Sequence, residues 1–233
     1  MKTRDAVILT AALSIGLFSV TKADASLVSS ADGQSVWDTT LNMTWLANAN
    51  LAATNTFGVS GIYPNGEMNL LTAQEWIGAM NADKYLGFSD WRLPTTVEQD
   101  TSCDEYYSSS VGDSYEYGYG CSASNMGNLF YNDLGGAAGK SITTTHNSNY
   151  HLFSNIQSFA YWSGTQDSLK SVDNWYFDFG NGYQDVTSNG TDMYVWAVHA
   201  GSPIPVPLPG SAWLLISGIV GLIGIRRRRV AGR

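Results

Sequence analysis

The chain has 233 residues, 44% of them hydrophobic and 12% aromatic: too apolar for a disordered polymer, and long enough for one domain with tails. Charged residues make up only 14%, and the formal net charge of −8 hides an asymmetry. Without residues 1–25 and 202–233 the body carries 18 acidic and 4 basic side chains, a net −14 that argues against nucleic acid as a partner.

The predicted elements begin with an address. Lys2 and Arg4 precede the uncharged run Ala6 to Val20, and Ala23-Asp24-Ala25 follows with the small-x-small pattern that signal peptidase cuts. Cleavage is predicted between Ala25 and Ser26, so the mature chain is expected to be exported. An N-terminal core helix is the alternative, but it gives no reason for the charge and the cleavage pattern.

The body over 26–201 is predicted to be one α+β domain. Val36-Trp37-Asp38 opens a short strand, Leu41 to Leu46 leads into a polar stretch, and Pro64-Asn65-Gly66 marks a turn. A helix is predicted from Thr72, with Thr72 and Glu75 as a capping box and Leu71 and Trp76 as a hydrophobic staple. Ala73, Trp76, Ile77 and Met80 form its apolar stripe. A second helix is predicted over about Ser124 to Leu134, stopped by Gly135. Strands dominate the last third: Tyr161 to Thr165, an alternating Trp175 to Phe179, a return over Tyr183 to Thr187, and a central strand over Tyr194 to Val198. Gly180-Asn181-Gly182 suggests a type I′ hairpin turn.

Cys103 and Cys121 are the only cysteines, and in an exported chain a disulfide is the expectation. The stretch between them holds Tyr106, Tyr107, Tyr115, Tyr117 and Tyr119 among Ser and Gly, with Asp104, Glu105, Asp113 and Glu116 and no basic residue. Tyrosine offers a large contact area for few rotors, and Ser and Gly adapt to hydrogen-bond partners, the composition of binding loops. Tyr106, Tyr107, Tyr115, Tyr117, Tyr119, Asp104 and Glu105 are therefore the candidate ligand-binding residues. The competing reading is a solvated insertion, pinned by its bridge and binding nothing. No metal site and no cofactor are expected. Ca²⁺ is a weak possibility on these acids or on Asp178, Asn181 and Asp185, and neither set has EF-hand spacing. Arg92, the one arginine of the body, reads as a structural anchor. No catalytic set is expected: His146, His151 and His199 lack metal spacing, and no Gly-x-Ser-x-Gly elbow is present. The tryptophans read as core.

The chain ends in a second address. Pro203, Pro205, Pro207 and Pro209 stiffen a spacer, Ser211 to Ile225 carries no charge, and Arg226, Arg227, Arg228 and Arg229 follow. Counted from Leu208, the apolar run is long enough for a transmembrane helix, with the arginines holding its end in the cytoplasm. Val206-Pro207-Leu208-Pro209, the apolar run and the arginine cluster resemble a PEP-CTERM sorting tail, with Pro207-Leu208-Pro209 where that family has Pro-Glu-Pro. The resemblance implies processing by an exosortase-type protease in a Gram-negative bacterium. The tail would be a transient inner-membrane anchor, removed as the body passes to the cell surface or extracellular matrix.

The body, through Val36-Trp37-Asp38, Thr44-Trp45-Leu46, Gly87 to Thr95 with its Trp91-Arg92-Leu93-Pro94-Thr95 centre, Tyr161 to Thr165 and Trp175 to Phe179, is similar to the Lcl C-terminal domain family. That similarity implies a C-type-lectin-like fold, two helices flanking a mixed antiparallel sheet, in a non-catalytic module binding extracellular polysaccharide or another surface component. A structural matrix component is the rival. An enzyme on a formylglycine-generating-enzyme-like fold is a third reading, which needs reactive thiols.

Overall fold

In a computed structural model of the chain, residues 27–203 are described, apart from 109, 111 and 113. The predicted cleavage site at Ala25 and Ser26 lies outside them, as do Pro207, Leu208, Pro209 and the arginines from Arg226 to Arg229. The predicted membrane span lies there too, and no helix among the described residues is long and apolar enough to cross a membrane.

Strands β1 (Leu27–Ser29), β2 (Ser35–Asp38) and β3 (Met43–Leu46) form an antiparallel meander that β9 (Val198–Ala200) completes, in the order β1-β2-β3-β9. Leu27 pairs with Asp38, Asp38 with Met43, and Met43 with Ala200. The described chain therefore enters and leaves at one end of one sheet. A second sheet is the hairpin β4 (Glu105–Ser108) and β5 (Ser114–Tyr117), and a third runs β6 (Ala160–Gln166), β7 (Asp173–Asp178) and β8 (Tyr183–Ser188). The class is α+β, but in place of one mixed sheet the described residues form three antiparallel ones.

Helix α1 (Leu70–Ala82) starts two residues earlier than the capping-box reading places it. Asn69 is the cap, its side chain accepting from the Thr72 N–H at 3.0 Å. Thr72 is buried inside the first turn, and Leu71 is 65% exposed, so the predicted staple is not formed. The stripe of Ala73, Trp76, Ile77 and Met80 does face the core. Helix α2 (Asn125–Asn128) widens at once into a π-turn over Leu129–Asp133, closed by the Leu134 N–H on the Leu129 carbonyl. Gly127 lets this helix approach the chain before it: a Cβ there would stand 1.7 Å from the Cys121 carbonyl oxygen.

Two further expectations are corrected. Tyr194 to Ala197 is not a strand of one ladder. It runs buried between sheets, with Trp162 N–H donating to the Tyr194 carbonyl and Leu46 N–H to that of Ala197. Divided between two partners, it earns strand geometry only from Val198 on. The β7–β8 turn is not type I′, because Gly182 takes a positive φ of 84° while Asn181 does not. Both the Asn181 and Gly182 N–H groups donate to the Asp178 carbonyl.

Trp45, Trp76, Trp91, Trp162, Trp175 and Trp196 are all buried. Burial of an indole leaves an N–H to satisfy, and backbone carbonyls take four of them: Asn55 for Trp76, Tyr85 for Trp91, Met68 for Trp162 and Leu46 for Trp196. Two of these bonds tie irregular segments to the sheets, Trp162 of β6 to Met68 and Trp196 to Leu46 of β3.

Candidate functional site

Cys103 and Cys121 are disulfide-bonded. Above the bridge the expected loop is a hairpin of two strands, with Glu105 opposite Tyr117, Tyr106 opposite Glu116 and Tyr107 opposite Tyr115. Strand alternation therefore puts Glu105, Tyr107, Tyr115 and Tyr117 on one face, and Tyr106 and Glu116 on the other. Loop chemistry concealed this, because tyrosine favours strands as readily as it favours binding loops.

The first face is an aromatic ladder. Tyr107 stacks on Tyr115 at 5.0 Å, and Tyr115 meets Tyr117 at 5.9 Å and the buried Trp175 at 5.2 Å, both edge-on. Tyr117 and Tyr119 reach Tyr183 of β8 at 6.4 and 4.9 Å. The ladder thus docks the hairpin on the third sheet, helped by paired backbone bonds between Gly118 and Gln184. Gly118 needs its positive φ of 101° and its bare Cα there, since a Cβ would lie 2.3 Å from Asp104 Oδ1.

This divides the tyrosines. Tyr115, Tyr117 and Tyr119 are half-buried supports, whereas Tyr106 and Tyr107 are 59% and 43% exposed. Asp104 closes the hairpin base: its N–H donates to the Tyr119 carbonyl, and its Oδ1 accepts the Tyr119 N–H at 2.7 Å. Glu105 is exposed and accepts from the Tyr183 hydroxyl at 3.3 Å. The Tyr117 phenol is held above its ordinary pKa first by its own side-chain hydrogen bond with Glu105, then by desolvation and by the charges of Glu105 and Asp185. Desolvation pushes Tyr115 up to about 12, with Asp185 adding to it. Tyr115 and Tyr117 therefore stay uncharged at physiological pH.

Tyr183 and Glu98 are supports that sequence reading missed. Glu98 accepts from Trp175 Nε1 at 2.9 Å and from the Ser168 N–H at 3.0 Å, fixing the ring on which Tyr115 rests. Tyr183 carried a legible signal, an aromatic just past a Gly-Asn-Gly turn; Glu98 carried none.

The described acids of the two sets are spread over different faces and partners. Glu116 faces away from Glu105, and Asp113 lies outside the described residues. Asp178, Asn181 and Asp185 each accept a nearby N–H, from Gly180, Tyr183 and Val186. Among the described residues the one group with three ligand atoms in metal range is Asp100, Cys103 and Cys121. Its sulfurs are spent on the disulfide, and Asp100 accepts from the Ser102 and Ala123 N–H groups on either side of the bridge. His146 and His151 lie close, their rings 5.7 Å apart, whereas His199 is buried in β9 against Phe88 and Trp91.

Fold and site together define an α+β domain that displays a disulfide-closed aromatic hairpin on a tryptophan-rich body. Residues 34–199 match the model of the Lcl C-terminal domain, and the chain belongs to that family. No curated protein and no solved structure matches it.

Proposed function

We propose that this chain is an exported, non-catalytic binding module of the cell surface or extracellular matrix, with extracellular polysaccharide as its ligand. The observation that carries the reading is the hairpin: two tyrosines, Tyr106 and Tyr107, are held open to solvent on a strand pair rigidified by a disulfide and an aromatic ladder. Rigid aromatic rings offered to solvent suit the apolar faces of sugars, and little conformational freedom remains to be lost on binding. A C-type-lectin-like arrangement belongs to the same proposal. The joining of Cys103 to Cys121 supports the non-catalytic reading over the enzyme one, which needs reactive thiols.

Signal peptidase at Ala25–Ser26 and an exosortase-type protease at Pro207-Leu208-Pro209 would process the ends, with Arg226 to Arg229 anchoring the intermediate in the inner membrane of a Gram-negative bacterium. The exit of both described ends from one row of one sheet supports a body standing on a single stalk. The test is retention of the purified protein on immobilised extracellular polysaccharide. Replacing Tyr106 and Tyr107 by Ser is expected to weaken retention at least tenfold with no change in melting temperature. Unchanged retention would remove the hairpin as the site, and no retention of the unmodified protein would leave the structural-component reading in place.

A further inference from the structure

Away from the hairpin, a cleft runs between α1 and the β6–β7 side of the third sheet. It has two lobes that share Gln74 and Gly164, of about 330 and 300 Å³, each at the lower end of the range of small-molecule sites. The cleft exists because β6 is irregular. Its register against β7 slips between Trp162 and Gln166, and residues 163–165 turn instead to the Trp-Arg-Leu-Pro-Thr segment, with Gly164 N–H on the Pro94 carbonyl. Such bulges open ladders next to functional sites.

The lining is chemically distinct from the rest of the surface. One lobe presents the amides of Gln74, Gln166, Asn174 and Asn189; the other presents Arg92 and Thr95. No carboxylate lines either lobe, in a body with 18 acidic side chains. Asn174 is held by its own Nδ2 donating to the Ser163 carbonyl, and Gln166 by Nε2 donating to that of Ser171. Asn189 has a buried Oδ1 with no partner. The Gln74 side chain is exposed and makes no hydrogen bond among the described residues. The Arg92 guanidinium is half-buried and makes one hydrogen bond, from Nη1 to the Leu93 carbonyl. Among the described residues it joins no ion pair, although Asp90 is close enough to act on its charge.

Amides both donate and accept, as sugar hydroxyls do, and a guanidinium with idle donors matches a carboxylate in a planar, two-point fashion. We propose that this cleft is a second binding site, separate from the hairpin, that takes an acidic sugar: hydroxyls on the amides of Gln74, Gln166 and Asn189, and the carboxylate on Arg92.

The experiment titrates the full-length protein, purified in detergent, with a trimer of α-1,4-linked galacturonic acid and, separately, with its neutral methyl ester, followed by ligand-observed NMR and calorimetry. The acid trimer is expected to bind at least tenfold more tightly than the ester. Arg92→Gln should erase that preference while leaving ester binding in place. Gln74→Leu and Gln166→Leu, both at exposed positions, should each weaken both ligands severalfold with the melting temperature unchanged. Equal affinity for acid and ester overturns the proposal, as does an acid preference that survives Arg92→Gln. Unaltered binding in both glutamine variants, or no binding of either trimer, overturns it as well. If Arg92→Gln lowers the melting temperature, the two glutamine variants decide the matter.

Discussion

At the scale of single residues, the most consequential side chain outside the hairpin is Asp133. It is 1% exposed, accepts from Asn128 Nδ2 through one oxygen, and has no partner for the other. Burial, reinforced by the charge of Asp38, pushes its pKa up to about 7. The folded chain therefore holds a proton that the unfolded chain gives up near pH 4. Below that value both states are protonated and the group costs nothing. As pH rises toward 7 only the unfolded state ionises, and stability falls; above 7 the loss stays constant. At about 1.4 kcal/mol per pH unit over roughly three units, the loss amounts to about 4 kcal/mol. Asp133→Asn is expected to flatten the decline in melting temperature between pH 4 and 7 and to raise it at pH 8. A steeper decline, or a lower melting temperature at pH 8, would count against the assignment. Asp38, Asp178 and Asp185 are raised by burial in the same direction, so a residual slope will remain.

Among the elements, the hairpin depends most on covalent support. Its strands are four residues each, too short for an isolated two-stranded sheet. It is held by the ladder onto Trp175 and Tyr183, by the paired Gly118–Gln184 backbone bonds, and by the bridge from Cys103 to Cys121. In the chain-entropy account a bridge closing a loop of this length stabilises by roughly 3 kcal/mol. Cys103→Ser with Cys121→Ser is expected to lower the melting temperature by about 6–12 °C in a domain of this size. Tyrosine fluorescence should then become more quenchable while the buried tryptophans keep their emission. A shift of under 2 °C would mean that the ladder alone suffices.

The same elements show how much of the fold was legible in the sequence. Short-range patterns read well: β7 alternates Trp175 and Phe177 inward against Tyr176, and α1 carries its stripe, because both reflect a single buried face. Elements made by distant partners did not. The stretch Tyr194 to Ala197 is as apolar as a strand, yet its bonds go to two different sheets. The hairpin read as a loop because its apolar cover, Trp175, comes from residues far along the chain. At the hairpin, composition singled out five tyrosines alike; the fold separates them by exposure, leaving Tyr106 and Tyr107 open and Tyr115, Tyr117 and Tyr119 half-buried, while the register sets Tyr106 alone on the face away from the ladder.

For the whole molecule, charge and topology point the same way. A body of net −14 sits between two apolar segments flanked by cations. Its described ends leave together from the Leu27–Asp38–Met43–Ala200 row, so one anchor can hold it with the rest of its surface free. If the tail is a transient anchor, intact mass of the secreted protein will lack Arg226 to Arg229, and deletion of the sorting protease will leave a membrane-bound form that retains them. Secreted protein still carrying the arginines would contradict this. The most direct test of the central claim, that an exported domain holds polysaccharide through its tyrosine hairpin, is the partition of the protein between isolated extracellular polysaccharide and free medium. Most of the unmodified protein is predicted to fractionate with the polysaccharide, and most of the Tyr106→Ser, Tyr107→Ser form with the medium. Equal partition of the two forms, or full-length protein found in the cytosol with reduced thiols, would contradict it.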